Sequence, residues 1–460
     1  MSENTVRGLP VGFIDSVRPL LGAETDEFLS ALDSDPPVSV RLSRKVRSVG
    51  GCSGVPASWR PVLWCPDGYY LPERPQFTLD PLLHAGAYYV QEASSMFLWQ
   101  VLVQHAAPDW LVLDMCAAPG GKSTLIGSFL SERGFLVCNE FVPQRANILA
   151  ENISKWGRGN TLVTNNAPAH FGQYGGLFDA VVVDAPCSGE GMFRKDEGAI
   201  AEWSPANVAK CVVRQREILS SAWDALKPGG LLVYSTCTYN RMENEENVQW
   251  LMAEYGAELL DVATDGSWGV WRTECGCRFM PHRTLGEGLF MAAVRKPGER
   301  DGDRAFRLPK RLPEKEEGLL RWIDARGWTT LLHKDVYYAV QESRYPMVLS
   351  MAQNLNVLQC GVPLAVRKGK DFVPQQGLAL SGLLAEGAFP ACGLDYRQAV
   401  TFLRAEAMTL ADAPRGFVLV TYRGQPLGFV KNVGNRCNNL YPSAWRIRMN
   451  PTDFTPFSIL

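Results

Sequence analysis

WLVLDMCAAPGGKST, Trp110 to Thr124, is an apolar strand running into a turn of small residues, after which a helix opens near Lys122. Strand, glycine-containing turn and helix N-terminus make the first half of a βαβ unit, whose ligand sits at the turn. The pattern continues outward. A helix-like stretch, Ala93–His105, precedes it, and FLVCNE (Phe135–Glu140) with a helix over Arg145–Trp156 follows. Then come TLVTNN (Thr161–Asn166), AVVVDAP (Ala180–Pro186), a long helix around Val208–Leu226, LLVYSTC (Leu231–Cys237) and GLFMAAVRK (Gly288–Lys296). Several of these strands are apolar without alternation, as parallel strands covered on both faces must be. The expected fold is α/β, with a doubly wound, Rossmann-like domain over residues 76–298.

The turn admits two familiar readings, and the residues exclude both. A P-loop needs Gly, four residues, then Gly-Lys-Ser, but counting back from Gly121-Lys122-Ser123 places Cys116 where the first Gly belongs. No Gly-x-Gly-x-x-Gly dinucleotide fingerprint is present either. What remains is a site for another adenosine-containing cofactor. Ala117, Ala118, Gly120 and Gly121 allow close approach to the backbone. Glu140, at the tip of the second strand, can accept hydrogen bonds from both ribose hydroxyls.

The chain of 460 residues, 46% hydrophobic and 20% charged, has the composition of a soluble protein of two to four domains. No apolar run reaches the roughly 20 residues of a membrane span, and MSENTVRGLPVGFIDSV lacks the marks of a secretory signal. A cytoplasmic protein with no membrane partner is expected. Its 12 cysteines, from Cys52 to Cys437, then read as reduced thiols. Cys275 and Cys277 are one residue apart with no second matching pair, so no metal site is expected.

The net charge of −2 argues against a uniformly basic nucleic-acid coat, but its distribution is uneven. Residues 300–460 hold 21 Lys and Arg against 14 Asp and Glu, whereas residues 1–299 hold 25 against 34. A basic C-terminal third on an acidic body suits an appendage that grips phosphates. Residues 1–75 read as a small α/β extension, with an apolar-periodic stretch over Phe13–Leu32 and a Gly/Pro/Trp-rich run from Gly50 to Pro72. The charged segment Gly298–Gly318 reads as a linker, taken as 299–318, and 319–395 as a mixed α/β module. Residues 400–412 suggest a helix, and GFVLVTYRGQPLGFVKNV a hairpin turning at Arg423-Gly424. A small β-barrel completes the unit 400–460.

Two cysteines end neighbouring expected strands: Cys187 in DAPCSGEGMFRKD and Cys237 in YSTCTYNRMENEE. A lone cysteine at a strand end is usually a small buried residue. A pair at the ligand-binding edge suits reversible addition of a thiolate to an electron-poor ring, with the second thiol helping proton removal.

These motifs resemble the Sun/Nop (NSUN) family of RNA 5-methylcytosine methyltransferases, in its bacterial RsmF-type branch. The resemblance is carried by YYVQEASSM (Tyr88–Met96), DMCAAPGGK (Asp114–Lys122), DAPCSGEGMFRKD (Asp184–Asp196), STCTYNRMENE (Ser235–Glu245) and CRFMPHRTLGEGLF (Cys277–Phe290). It implies a class I methyltransferase domain using S-adenosyl-L-methionine. Cys237 would add to carbon 6 of cytosine, Cys187 would help resolve the adduct, and Asp184 would lie between the cofactor's methionine end and the base. DNA cytosine methyltransferases instead take their nucleophile from the Cys187 position, so DNA is not the expected partner. Cys116, Ala117, Ala118, Pro119, Gly120, Gly121 and Lys122 would wrap the cofactor. Where many relatives carry an adenine-contacting Asp this chain has Ala167, and the Asn166 amide or a backbone group is the candidate substitute.

The terminal segment is similar to the PUA-like barrel of that branch. Its Lys431, Arg436, Arg446 and Arg448, interleaved with Tyr441 and Trp445, suit phosphate contacts and base stacking, although the two aromatics read equally well as the core of a small barrel. The expected partner is RNA, 16S ribosomal RNA or the 30S subunit foremost, acted on by a monomer. Transfer RNA is the alternative substrate, and a non-catalytic ribosome-assembly factor the alternative of another class.

Overall fold

Apolar residues at helical spacing give the chain its first two helices, Val11–Leu21 and Thr25–Leu32, and each turns one stripe inward. Phe13, Val17, Phe28 and Leu32 are buried there against Phe193, Trp203 and Tyr239. Phe13 meets Phe193, and Phe28 meets Tyr239, edge-on with ring centroids 4.9 Å apart. The next strands, β1 (Val38–Leu42), β2 (Arg60–Pro61), β3 (Gly68–Leu71) and β4 (Tyr88–Val90), form an antiparallel sheet in the order β2-β3-β1-β4. The computed structural model describes residues 8–45, 55–299, 302, 306–309, 312–324, 326–451 and 454–460. Cys52, the start of the Gly50–Pro72 run and part of the expected linker lie outside the described residues.

The central strands are β5 (Leu111–Asp114), β6 (Phe135–Asn139), β7 (Thr161–Thr164), β8 (Phe178–Asp184) and β9 (Leu226–Thr236), parallel in the order β7-β6-β5-β8-β9. Residues of β5, β6 and β7 are buried on both faces, which is why these segments carry no polar alternation. Beyond β9 the sheet continues through β13 (Leu289–Arg295), β12 (Gly276–Phe279) and β11 (Trp271–Thr273), all by antiparallel pairing, with β10 (Glu258–Leu259) also on β13. The helix Pro205–Ala225 covers one face, started by Ser204, whose hydroxyl accepts from Asn207 N at 3.1 Å. The helix Pro143–Trp156 stops at Gly157, which takes φ +76° to cap it.

The C-terminal third is woven into this body more tightly than an appendage. β14 (Trp328–His333), β15 (Val336–Gln341), β17 (Val362–Lys368) and β18 (Asp371–Pro374) form their own antiparallel sheet. Between them, β16 (Val357–Cys360) pairs with β7 and becomes the tenth strand of the large sheet. The last sheet, β19 (Ala391–Gly393), β20 (Gly416–Tyr422), β21 (Gln425–Asn432) and β22 (Cys437–Asn439), contains the expected hairpin. Arg423 and Gly424 both take positive φ, 49° and 77°, as a two-residue turn between twisted strands requires. The helix expected over 400–412 instead runs from Tyr396 to Leu403. Asp395 and Gln398 form a reciprocal capping box at its start. This terminal unit shares a core with the first sheet, Val418, Phe402 and Tyr441 packing in one cluster with Val40, Leu71 and Tyr88. No described helix is long and apolar enough to cross a membrane.

Candidate active site

In an open parallel sheet the carboxyl ends of strands splay where the order reverses, and ligands bind there. Here the reversal falls between β5 and β8, and the expected site residues gather at it. Cys116 to Lys122 follow β5, Asp184 ends β8, and Cys237 follows β9 by one residue. Tyr89, Cys116, Gly121, Lys122, Asp184 and Cys237 line a single cleft of about 320 Å³.

Asp184 stands opposite Ser235 in the β8–β9 register, and its two oxygens are separately held. Ser235 Oγ donates to Oδ1 at 2.8 Å, and Lys122 Nζ lies 2.8 Å from Oδ2. Burial is the largest single influence on Lys122 and works against its charge, but the adjacent Asp184 and the nearby Asp114 together raise the ammonium above its ordinary range. The lysine is therefore a buried partner of the site and not a surface residue at a helix start. Beneath it, burial pushes the Asp114 carboxyl up to about 7 despite a 2.5 Å hydrogen bond from Ser123 Oγ.

The two expected thiols meet. Cys187 Sγ lies 3.2 Å from Cys237 Sγ. The hydrogen bond to Cys237 and then burial push the Cys187 thiol well above its usual range. Either sulfur can donate in this contact, and Cys237 is the one of the two that lines the cleft.

The cleft suits the expected cofactor on two counts. Small residues Ala117, Ala118 and Gly121 line it, and the turn that presents them passes through Gly120 at φ +118°, a conformation that L side chains rarely adopt. Gln91 Nε2, on a residue lining the cleft, is buried with no partner among the described residues, as is Asp114 Oδ1 beneath the loop. Glu140 closes the end of β6. Its Oε1 accepts from Val142 N at 2.9 Å, and its Oε2 lies 3.5 Å from Arg145, which itself donates to Ala118 O at 2.7 Å. Glu140 is thereby tied to the loop, one step behind the cleft wall.

Two expected contacts fare differently. The Asn166 side chain pins β16: Oδ1 accepts from Asn356 N at 3.1 Å and Nδ2 donates to Asn356 O at 3.4 Å. That amide is tied to the chain through one acceptor and one donor contact. Tyr441 is only 4% exposed, packed against Phe402 and Trp445, so it fills the terminal core and offers no stacking face. Trp445 is half-buried beneath Lys155, while Arg436, Arg446 and Arg448 are exposed. Lys431 lies 3.6 Å from Asp371.

Sequence reasoning passed over the groups that hold the two cysteine loops together. The fully buried Glu243 accepts from Ser188 N at 3.0 Å, Ser188 Oγ at 2.5 Å, Gln215 Nε2 at 2.7 Å and Asn240 Nδ2 at 2.7 Å. It staples the loop of Cys187 to the loop of Cys237. Glu190 does the same from the other side, accepting from Tyr239 N and Asn240 N at 2.7 and 3.0 Å. Gly191 is required there, since a Cβ would come within 2.9 Å of Cys237 O. From the first sheet, buried Arg41 reaches Gln91 Oε1 at 2.8 Å and Thr124 Oγ1 at 2.6 Å, bracing the cofactor loop's helix. The available signal was a set of carboxylates within motifs that otherwise read as buried. Glu243→Ala is expected to destabilise the fold by about 3 kcal/mol, since four donors lose a buried carboxylate. Urea unfolding measures this, and a cost below about 1 kcal/mol would show that the staple is not structural.

Comparison with known proteins agrees with this geometry. A family model described as 16S rRNA methyltransferase RsmB/F matches residues 101–295. The N-terminal domain of 16S rRNA methyltransferase RsmF matches 9–93, and the methyltransferase RsmF PUA domain matches 389–447. Ribosomal RNA small subunit methyltransferase F of Pectobacterium atrosepticum is 31% identical over 477 residues, covering 96% of both chains. Its counterpart in Salmonella agona is 33% identical, covering 94% of this chain and 95% of the other. Among solved structures, a methyltransferase homolog from Pyrococcus horikoshii aligns with TM-score 0.54 at 24% identity, over 64% of this chain and all of that one, which bears on the fold. With near-complete coverage and all three parts matched in order, the chain belongs to the ribosomal RNA small subunit methyltransferase F family of S-adenosyl-L-methionine-dependent enzymes.

Proposed function

We propose that this protein methylates carbon 5 of a cytosine in 16S ribosomal RNA, through a transient bond between Cys237 and carbon 6. The observation that carries the reading is the pair of sulfurs 3.2 Å apart, one of them on the wall of the cofactor cleft. Carbon 5 of cytosine is too electron-poor to accept a methyl cation unaided. Addition of the Cys237 thiolate to carbon 6 makes the ring an enamine with an electron-rich carbon 5. S-adenosyl-L-methionine, when bound, supplies the methyl group that this carbon accepts.

Asp184, steadied by Ser235 and Lys122, is the polar group that can hydrogen-bond the edge of the base and fix its orientation. Once the Cys237 sulfur is bonded to carbon, Cys187 no longer donates to a thiolate and can release its proton outward through the cleft. Its thiolate then takes the proton from carbon 5, the ring double bond re-forms, and Cys237 leaves as thiolate. Cys187 ends as the thiol it was.

The cleft can take only an unstacked base, so the target cytosine is expected in a loop or on RNA still open during subunit assembly. The test is methyl-labelled cofactor incubated with immature 30S particles from cells lacking the protein, followed by nucleoside mass spectrometry. Label in 5-methylcytidine of 16S RNA is expected. Label confined to transfer RNA, or to another atom of the base, would overturn the substrate or the chemistry respectively.

A further inference from the structure

At the rim of the large sheet opposite the cysteines, where the chain enters β6 and β7, a second cleft of about 750 Å³ opens between the catalytic domain and the β14–β18 sheet. Its walls come from segments far apart in sequence: residues 132–133, 157–160, 324, 326–328, 341, 343–344 and 382–383. Four arginines converge on it: Arg133, Arg158, Arg326 and Arg344. None of the four forms an ion pair with a described residue, although Glu132 and Asp324 also line the cleft.

Converging guanidinium groups repel one another unless an anion joins them. Arg158 carries that tension most clearly. Its Nη2 donates to Leu130 O at 2.8 Å, but its Nε is buried with no partner among the described residues. Burial and nearby Arg44 hold its pKa below the usual arginine range. Arg344 is held in place by donating to Arg133 O at 3.2 Å, so two of the charges belong to one braced corner. Half-buried Trp328 forms part of the wall, and Gly159 allows the loop to close on it, since a Cβ there would lie 2.7 Å from the indole.

We propose that this cleft binds the phosphodiester backbone of RNA, as a second contact remote from the catalytic centre. The inference rests on the reading that RNA is the substrate. Four arginines spread over separate segments of an open trough match successive phosphates, and bidentate pairing is what guanidinium offers phosphate. Trp328 beside them provides an edge for a base or sugar. A large, folded RNA could thus be gripped on both rims of the sheet while one base enters the cysteine cleft.

The double variant Arg133→Gln/Arg326→Gln tests this, because neither side chain makes a described hydrogen bond or ion pair that the fold would miss. Filter binding of a 16S RNA transcript, at several potassium chloride concentrations, should show about tenfold weaker binding. The salt slope should also shrink by roughly 1.4 to 1.8, the contribution of two phosphates. In methylation assays KM for the RNA should rise by a similar factor with kcat unchanged. A thermal melt matching the wild type keeps the comparison fair, and ultraviolet cross-linking should place RNA on peptides containing residues 132–133 and 326–344. Unchanged affinity and slope with a wild-type melt would overturn the proposal. So would a variant altered only in its uptake of inorganic tripolyphosphate, which would mark a site for a free phosphate compound. Because binding is read without catalysis, a protein that grips RNA at this cleft but methylates none would sink the proposed reaction and leave this inference standing.

Discussion

Replacing Cys237 with alanine is expected to lower methyl transfer by at least about four orders of magnitude, the scale on which other enzymes suffer when their nucleophile is removed. The reason lies in the base, since without addition at carbon 6 there is no electron pair at carbon 5 to take the methyl group. The fold should survive the change. The residue anchors its loop through its main-chain carbonyl, which accepts from Gly191 N at 2.8 Å, and the surrounding loops are held by Glu190 and Glu243. Cofactor affinity, read by calorimetry, should therefore stay within a few-fold of wild type. Single-turnover transfer from labelled cofactor to 16S RNA measures the loss, and a denaturing gel should show no protein–RNA adduct. A Cys237→Ala protein that methylates at a rate near wild type would remove the central chemical assignment.

The regular part of this molecule was legible because strand and helix signals are local. Six runs read as strands of one domain; β5, β6, β7, β8 and β9 are the first five and lie parallel, whereas the sixth, GLFMAAVRK, is β13 and pairs antiparallel with β9. Residues at strand ends could be placed relative to one another because an open sheet gathers its carboxyl ends on one edge. What stayed hidden depends on pairing across long sequence distances. Nothing in VLQC, residues 357–360, reveals that it will join Thr164 and its neighbours to extend the large sheet. That one pairing also explains why Asn166 is occupied, since Asn356 leads into the strand. Tyr441 failed for a related reason: an aromatic between arginines reads the same on a stacking surface and in the core of a small sheet. The two differ only in what packs above, which here is Phe402. The roles of Glu190 and Glu243 were not read at all, because burial of a charged group depends on donors supplied by other segments.

Replacing Cys187 with alanine should give the opposite phenotype from Cys237→Ala, and this contrast is the stronger test of the pair. The Cys237 sulfur can still reach carbon 6, and carbon 5 can still accept its methyl group, so the first half of the reaction is spared. The second half needs a base at carbon 5, and the sulfur in contact with Cys237 is then missing. Cys187 is suited to this late role by what raises its pKa in the resting site. The largest cause is its hydrogen bond to Cys237, followed by burial and then the charge on Cys237. When Cys237 becomes a thioether to the ring, the first and third causes disappear together, and the thiol becomes easier to deprotonate at the moment when a base is wanted. Loss of a positioned base slows proton transfer by about 100-fold or more. A methylated RNA–protein adduct should therefore accumulate in Cys187→Ala, seen as a slower band in a denaturing gel that carries cofactor-derived label and is removed by ribonuclease. The double variant Cys187→Ala/Cys237→Ala should lose that band, because the adduct needs the sulfur that only Cys237 provides. A Cys187→Ala enzyme that turns over at the wild-type rate with no adduct would mean that another group removes the carbon-5 proton and that the 3.2 Å contact serves only to orient Cys237.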